Sequence, residues 1–378
     1  MISTELFGEQ LKSLGYQFFT GVPCSSLKYL INYAINDCEY IAAANEGDAV
    51  AIAAGAYTGG QKSVVLMQNS GLANAISPLV SLNHPFRIPV LGFVSLRGEP
   101  GVPDEPQHEL MGEITTTQLE LMQIKWQYLS KDLNRALQQL KEANSWIEKN
   151  ESFFFVVKKG TFDQVILKKQ EIDISLNQVR ALKQQEDQRP SRHEALTVIN
   201  SLKDKDTIQL ATTGMTGREL YEIEDSPSNL YMVGSMGCVS SFGLGVSLAQ
   251  RSTNRNVVVI DGDGSLIMRM GSLATNGTYH PPNMLHVLLD NNAHDSTGGQ
   301  STVSHNVQFV EAAASCGYAK SFYVHNLTEL KNRIEEWRQS KGLTFLHLKT
   351  AKGHKEKLGR PKIKPYEVRQ RLQLYLKE

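Results

Sequence analysis

The stretch VVVIDGDGSLIMRMGSLATNGTYHPPNMLHVLLDNNAHDSTGGQ (257–300) decides the fold of this chain. A β-branched run, NVVVI (256–260), enters Asp261-Gly262-Asp263-Gly264-Ser265. A helical segment follows, and a second run, MLHVLL (284–289), ends at Asp290-Asn291-Asn292. Runs apolar on both faces and separated by a helix belong to a parallel sheet covered on both sides. Such open sheets bind ligands outside the carboxyl ends of their strands, which is where both runs deliver oxygen-bearing side chains. Glycines let the backbone approach a phosphate closely, and the amides of this turn, with Ser265, can donate to it. Asp263 and Asn291 offer hard oxygen ligands to magnesium, and a backbone carbonyl just beyond supplies a third. The pattern predicts a diphosphate clamped by magnesium. A calcium loop is excluded, because its sixth position would be Leu266 rather than glycine and no Glu falls at the twelfth. A Gly-Asp-Gly turn after one strand is usually only a turn; pairing with a second strand that ends in Asn-Asn is what gives it weight.

Outward from this stretch the same alternation covers the chain. Short β-branched or aromatic runs stand at YQFFT (16–20), YIAAA (40–44), SVVLM (63–67), RIPVLGFVS (87–95) and SFFFVVK (152–158) in the first half. The second half has TIQLAT (207–212), NLYMV (229–233), NVVVID, MLHVLLD, KSFYV (320–324) and LTFLHLK (343–349). Between the halves lies KKQEIDISLNQVRALKQQEDQRPSR (168–192), rich in Gln and charge, ending in the capping-box pattern Ser191-Arg-His-Glu194. The expected organisation is α/β, with two doubly wound parallel-sheet domains at 1–167 and 191–378 joined by a linker at 168–190. The basic segment KGHKEKLGRPKIK (352–364) reads as a solvated surface stretch.

Composition narrows the function. The 378 residues carry 39 Lys+Arg against 39 Asp+Glu, a balance that argues against nucleic-acid or membrane-surface partners, which reward basic excess. No apolar run approaches the ~20 residues that span a bilayer. The four cysteines have neither zinc nor disulfide-framework spacing. The opening MISTELFGEQLKSLGY lacks the basic end and apolar core of a signal peptide, so a cytoplasmic location is expected.

Gly262-Asp263-Gly264, 26 intervening residues (265–290), then Asn291-Asn292 resembles the signature of the thiamine diphosphate enzymes. The resemblance implies the thiamine diphosphate-binding fold in both domains, with no third domain between them. It also implies magnesium held by Asp263, Asn291 and the carbonyl of Ala293. The doubled Asn leaves Asn292 and the carbonyl of His294 as an alternative set. Gly262, Gly264 and Ser265 complete the diphosphate turn.

Other motifs support the same resemblance. The cofactor is activated when a carboxyl group hydrogen-bonds its aminopyrimidine ring and favours the imino tautomer, a case of general acid–base catalysis with a relay. Glu46, in YIAAANEGDAVAIAAGAYTGG (40–60), matches that residue. Alone it would read as an acidic helix start, as its neighbour Asp48 does. In NLYMVGSMGCVSSFGLGVSLAQ (229–250), the resemblance assigns Gly234 to the pyrimidine amino group and Met236 to the wedge between the cofactor rings. Gly214 and Met215 in ATTGMTGREL (211–220) are expected against the diphosphate or thiazolium, and Asn69 and Ser70 in MQNSGLANAISPLVSL (67–82) beside the reacting atoms.

The short linker, the domain order and the segments TGVPCSSLK (20–28), RGEPGVPDEPQHELMG (97–112) and DNNAHDSTGGQ (290–300) resemble the short decarboxylases of this family that act on 3-phosphonopyruvate. Their relatives acting on sulfopyruvate are the alternative, since sulfonate replaces phosphonate in an otherwise equal substrate. The implied reaction is decarboxylation to phosphonoacetaldehyde in phosphonate biosynthesis. Ser25, Ser26, Arg97, His108, His294 and Thr297 are the candidates for holding or protonating a substrate with two acid groups. The family builds each site between subunits, so self-association is expected. A nicotinamide oxidoreductase is disfavoured because GDGSLI lacks the third glycine of that fingerprint. A catalytically idle cofactor-binding protein would have no use for Glu46.

Overall fold

In the computed structural model, residues 1–168, 176–181, 189–297, 299–355 and 358–377 are described. The chain divides into two compact units, Met1–Ile172 and Asp173–Glu378.

The first unit holds six strands: β1 (Phe18–Gly21), β2 (Glu39–Ala42), β3 (Ser63–Gln68), β4 (Leu91–Ser95), β5 (Lys125–Tyr128) and β6 (Phe153–Val157). They form one parallel sheet in the order β2-β1-β3-β4-β6-β5. Alternation along the strands builds two cores. Val64, Leu66, Phe93, Phe153 and Phe155 join one buried cluster, while Val65, Met67, Val94, Phe154 and Val156 join another. Successive side chains point to opposite faces, so both faces of this sheet are apolar and both are covered by helices. β1 leads to β2 on one side and β3 to β4 on the other, which puts the topological switch between β1 and β3.

The second unit has seven strands in its main sheet: β7 (Val179–Ala181), β8 (Thr207–Ala211), β9 (Asn229–Tyr231), β10 (Asn256–Gly262), β11 (Met284–Asp290), β14 (Lys320–Val324) and β15 (Thr344–Lys349). All are parallel, in the order β7-β14-β15-β11-β10-β8-β9. A small antiparallel pair, β12 (Ala293–His294) and β13 (Gln300–Ser301), stands beyond β11. Here the switch falls between β8 and β10.

Every apolar run singled out in the sequence becomes a strand. β5 and β7 were not foreseen: KWQY (125–128) is half-exposed and presents no continuous apolar run, and Val179–Ala181 is only three residues long. Of the stretch expected as a linker, 169–175 and 182–188 lie outside the described residues. Within it, Val179–Ala181 pairs with β14, and Asn177 donates to the Tyr318 carbonyl at 2.6 Å. The capping box forms, with the Glu194 amide donating to Ser191 Oγ at 3.2 Å and the Ser191 amide to Glu194 Oε2 at 2.8 Å.

The basic segment is largely exposed, as expected of a solvated surface stretch, and it also makes contacts. Described residues of 351–364 strap across the helix Met215–Ile223: Lys355 pairs with Glu222, and the Lys362 amide lies 3.4 Å from the Tyr221 hydroxyl. Acidic and hydroxyl groups on that helix give the lysines partners that composition alone could not reveal. No described helix is long and apolar enough to cross a membrane.

Candidate active site

The switch point of the second unit opens into a cleft lined by Thr212–Thr216, Met236, Gly262–Ser265, Leu289, Asn291, Ala293–Ser296 and Arg192. β10 ends at Gly262, and Asp263 begins a short helix. Asp263 is 3 % exposed and accepts a hydrogen bond from Thr302 Oγ1. Burial pushes its carboxyl above the usual range; Thr302 pulls it back and the nearby Asp290 adds to the rise. Among the described residues no cation pairs with it. Ser265 locks the turn rather than standing free: its Oγ accepts from the Gly237 amide at 3.1 Å and lies 2.9 Å from Thr212 Oγ1. Gly214, at φ 100°, opens the helix after β8 in a conformation that favours glycine.

The end of β11 separates the two asparagines. Asp290 is buried, where desolvation alone would raise its pKa. Hydrogen bonds from His347 (2.9 Å) and Lys349 overcome that and hold the carboxyl well below the usual range. Asn292, in a left-handed turn at φ 58°, is spent on this network, donating to Ser304 Oγ at 2.5 Å and accepting from Lys349 at 3.1 Å. Asn291 instead lines the cleft with Asp263. Its Nδ2 donates to Asp295 Oδ2 at 2.6 Å, and its Oδ1 accepts from the Ala293 amide at 3.0 Å.

His294 also lines the cleft and rests directly on Gly264, where an added Cβ would stand 2.4 Å from the His294 ring. Thr297 closes its own turn, its hydroxyl lying 2.8 Å from Gln300 Oε1 and 3.1 Å from the His294 carbonyl, within donating reach of either; Ser296, not Thr297, faces the cleft. Met215 and Met236 line it, whereas Gly234 does not. Sequence reasoning missed Arg192, Thr212, Asp295 and Thr302. Arg192 carried a usable signal, a cation opening a well-capped helix and buried on folding.

In the first unit, Glu46 starts the helix Glu46–Thr58 after β2, capped by Asn45. Its Oε2 accepts from Asn74 at 2.9 Å, and its carboxylate lies on Gly71, where a Cβ would come within 2.0 Å of Oε1. Asn69 follows β3 but turns inward: fully buried, it donates to the Arg97 carbonyl (2.9 Å) and Thr115 (3.0 Å) and accepts from the Arg97 amide (3.3 Å). With both ends of its amide bound it holds the loop after β4, and is not presented to reacting atoms as expected. Ser70 is exposed and accepts from Gln68 at 2.6 Å.

Arg97 is braced by Asp104, which accepts from Nε at 2.7 Å and also from Nη2; Nη1 donates to Ser25 Oγ at 3.3 Å. The Arg97 guanidinium holds the Asp104 carboxyl well below the usual range. Glu99, in the same loop, pairs with Lys158. Ser26 is half-buried in the single turn Ser25–Leu27 that leads into the next helix. His108 is buried with an unpartnered Nδ1.

The second-unit cleft fits a divalent cation with an anion. It holds an uncompensated buried carboxylate at Asp263 and an amide oxygen at Asn291. Beside them Glu219 and Asp295 share one Arg192 guanidinium, leaving that buried cluster one negative charge in excess.

Comparison with known proteins identifies the family. Residues 1–121 match the family model "Thiamine pyrophosphate enzyme, N-terminal TPP binding domain", and residues 211–348 match "Thiamine pyrophosphate enzyme, C-terminal TPP binding domain". The chain is 39% identical to a phosphonopyruvate decarboxylase of Streptomyces viridochromogenes, over 97% of this chain and 93% of that one. A sulfopyruvate decarboxylase of Methanosarcina acetivorans is 27% identical over 90% of this chain and 89% of its own. Among solved structures, benzoylformate decarboxylase from Polynucleobacter necessarius superposes with a TM-score of 0.75 at 14% identity, covering 94% of this chain and all of that one.

Proposed function

Since the chain belongs to the thiamine pyrophosphate enzymes, we propose that it is a magnesium-dependent decarboxylase of 3-phosphonopyruvate, releasing phosphonoacetaldehyde and carbon dioxide. One observation carries the cofactor chemistry: the buried Asp263 and the amide of Asn291 line one cleft at the switch point of a doubly wound sheet. The choice of phosphonopyruvate rests on likeness over nearly the whole chain, higher than that to the sulfopyruvate enzyme.

Thiamine diphosphate, when bound, supplies a carbon nucleophile for the keto group and a cationic ring that accepts the electrons carbon dioxide leaves behind. In this reading magnesium is held by Asp263, Asn291 and the Ala293 carbonyl, and the amides around Gly262 and Gly264 receive the diphosphate. Asn292 is committed to Lys349 and Ser304, which favours Asn291 as the ligand. Met236 and Met215 give the cleft its apolar wall, and Gly214 offers backbone groups. Glu46 exchanges a proton at its carboxylate with the aminopyrimidine, held for the task by Asn74 and by the glycine beneath it. Arg97, with Ser25 and Ser26, receives an acid group of the substrate; Asn69 positions Arg97 through its backbone. His108 and His294 are the proton donors. Each site combines the Glu46 unit of one subunit with the Asp263 unit of another, so the chain self-associates.

A single assay tests the substrate: carbon dioxide release from phosphonopyruvate, sulfopyruvate and pyruvate with cofactor and magnesium. Faster sulfopyruvate turnover overturns the choice. Glu46→Gln is expected to bind thiamine diphosphate and lose turnover by ~100-fold or more, whereas Asp263→Ala loses the cofactor itself. Near-normal turnover in the Gln variant would falsify the role of Glu46.

A further inference from the structure

A metal-binding asparagine works only if its amide points the right way. The oxygen ligates and the NH2 does not, so something must fix the rotation. At Asn291 two neighbours of opposite kind do so. The Ala293 amide can only donate and meets Oδ1 at 3.0 Å; the Asp295 carboxylate can only accept and meets Nδ2 at 2.6 Å. Turning the amide over would set donor against donor and oxygen against carboxylate.

Asp295 is itself held. Arg192, 7 % exposed, reaches Asp295 Oδ2 with Nη1 at 3.1 Å, so the same oxygen receives both Arg192 and Asn291. The guanidinium is fixed on its other edge by Glu219, at 3.1 and 3.3 Å, and by the Gly353 carbonyl at 3.2 Å. The Gly353 amide lies 3.3 Å from Asp295 Oδ1, which ties the segment after β15 into the same cluster. The planar fork of arginine spreads its donors over two edges and so reaches Glu219, Asp295 and Gly353 together, a span that the compact lysine ammonium lacks.

We infer that Arg192 and Asp295 are positioning residues for the metal site, a relay that locks the Asn291 amide in the rotation that keeps Nδ2 on Asp295 and Oδ1 away from it. The inference rests on the proposed function only in taking Asn291 as a magnesium ligand. Removing the acceptor at 295 frees the amide to rotate and weakens metal binding, while the apo fold keeps Arg192 on Glu219 and Gly353. An asparagine at 295 retains an oxygen where Oδ2 stands, so it still receives both donors although the charge is gone.

The test is calorimetric titration of magnesium into protein held in a fixed excess of thiamine diphosphate, corrected for magnesium binding to the free cofactor, with apo melting temperature measured alongside. Asp295→Ala is expected to weaken magnesium binding about tenfold or more, and Asp295→Asn to stay closer to the wild type than to the alanine variant. Wild-type affinity in Asp295→Ala overturns the relay. Equal loss in both variants also overturns it, because charge and not orientation would then be what 295 supplies. Should the alanine variant melt before it can be titrated, Arg192→Lys decides: a well-folded variant with weakened magnesium binding supports the relay, and one with unchanged binding rejects it. If wild-type protein shows no magnesium-dependent cofactor binding, the failure belongs to the proposed function and not to the relay.

Discussion

At the scale of single residues, Gly71 is as informative as the carboxylate it carries. The Glu46 side chain lies where a Cβ on residue 71 would sit, 2.0 Å from Oε1. Gly71→Ala therefore drives the carboxylate off its position and away from Asn74 while leaving its chemistry intact. Turnover is expected to fall on the order of 100-fold, the scale of a misplacement of about 1 Å, with far-UV circular dichroism unchanged. Turnover within twofold or so of the wild type would mean that Glu46 needs no fixed seat. Glu46 was singled out by its resemblance to the family's carboxylate at a strand-to-helix junction; Gly71 was not, since only the fold brings residue 71 beneath residue 46. Asn69 shows the opposite failure. Its place after β3 was read correctly, but a side chain at a strand end may point outward or inward, and nothing in MQNSG distinguishes the two.

The Arg97–Asp104 pair makes a prediction in acid. The folded carboxyl of Asp104 titrates below its ordinary 3.8, first because Arg97 hydrogen-bonds it and next because the Gly98 amide does. A depressed folded pKa means that the pair's contribution is present above the unfolded value and lost as pH falls through the folded one. An NMR titration of the Asp104 carboxyl is expected to give a midpoint under 3.8, rising toward the ordinary value in Arg97→Gln while the Gly98 amide still holds it down. A midpoint at or above 3.8 in the intact protein would show the brace to be absent in solution.

Among the elements, the helix Arg192–Ser201 joins local capping to the site, because its first residue is the arginine of the metal relay. Its capping box was plain in Ser191-Arg-His-Glu194, for the reciprocal bonds depend only on spacing along the chain. Ser191→Ala is expected to cost about 1 kcal/mol, read as a lower urea midpoint at unchanged slope. The Glu194 carboxyl is held below its ordinary 4.5 first by the Ser191 hydroxyl and then by its amide. The penalty is thus present at neutral pH and shrinks as pH falls through the folded value; a penalty that grew in acid would contradict the assignment. Buried central strands were equally legible, since a parallel strand covered on both faces must be a short unbroken apolar run. The half-exposed β5 and the three-residue β7 present no such run, which is why both were invisible. Arg192 and Asp295 escaped because 103 residues separate partners that only the sheet order brings together.

For the whole molecule, the sharpest question is whether one site draws on two chains. The Glu46 unit and the Asp263 unit each carry their own sheet, core and switch point, so inactivating substitutions can be made separately in each. Glu46→Gln and Asp263→Ala are expected to be nearly inactive alone. Co-expressed and freely assorted, about half of the resulting dimers contain one of each. In such a dimer one site receives both damaged residues and the other receives neither, so activity should recover to roughly a quarter of the wild type. A site completed within a single chain predicts no recovery, because every chain would carry one lesion. Sedimentation of the co-expressed protein supplies the control, as recovery must follow the associated species and vanish on dilution to monomer.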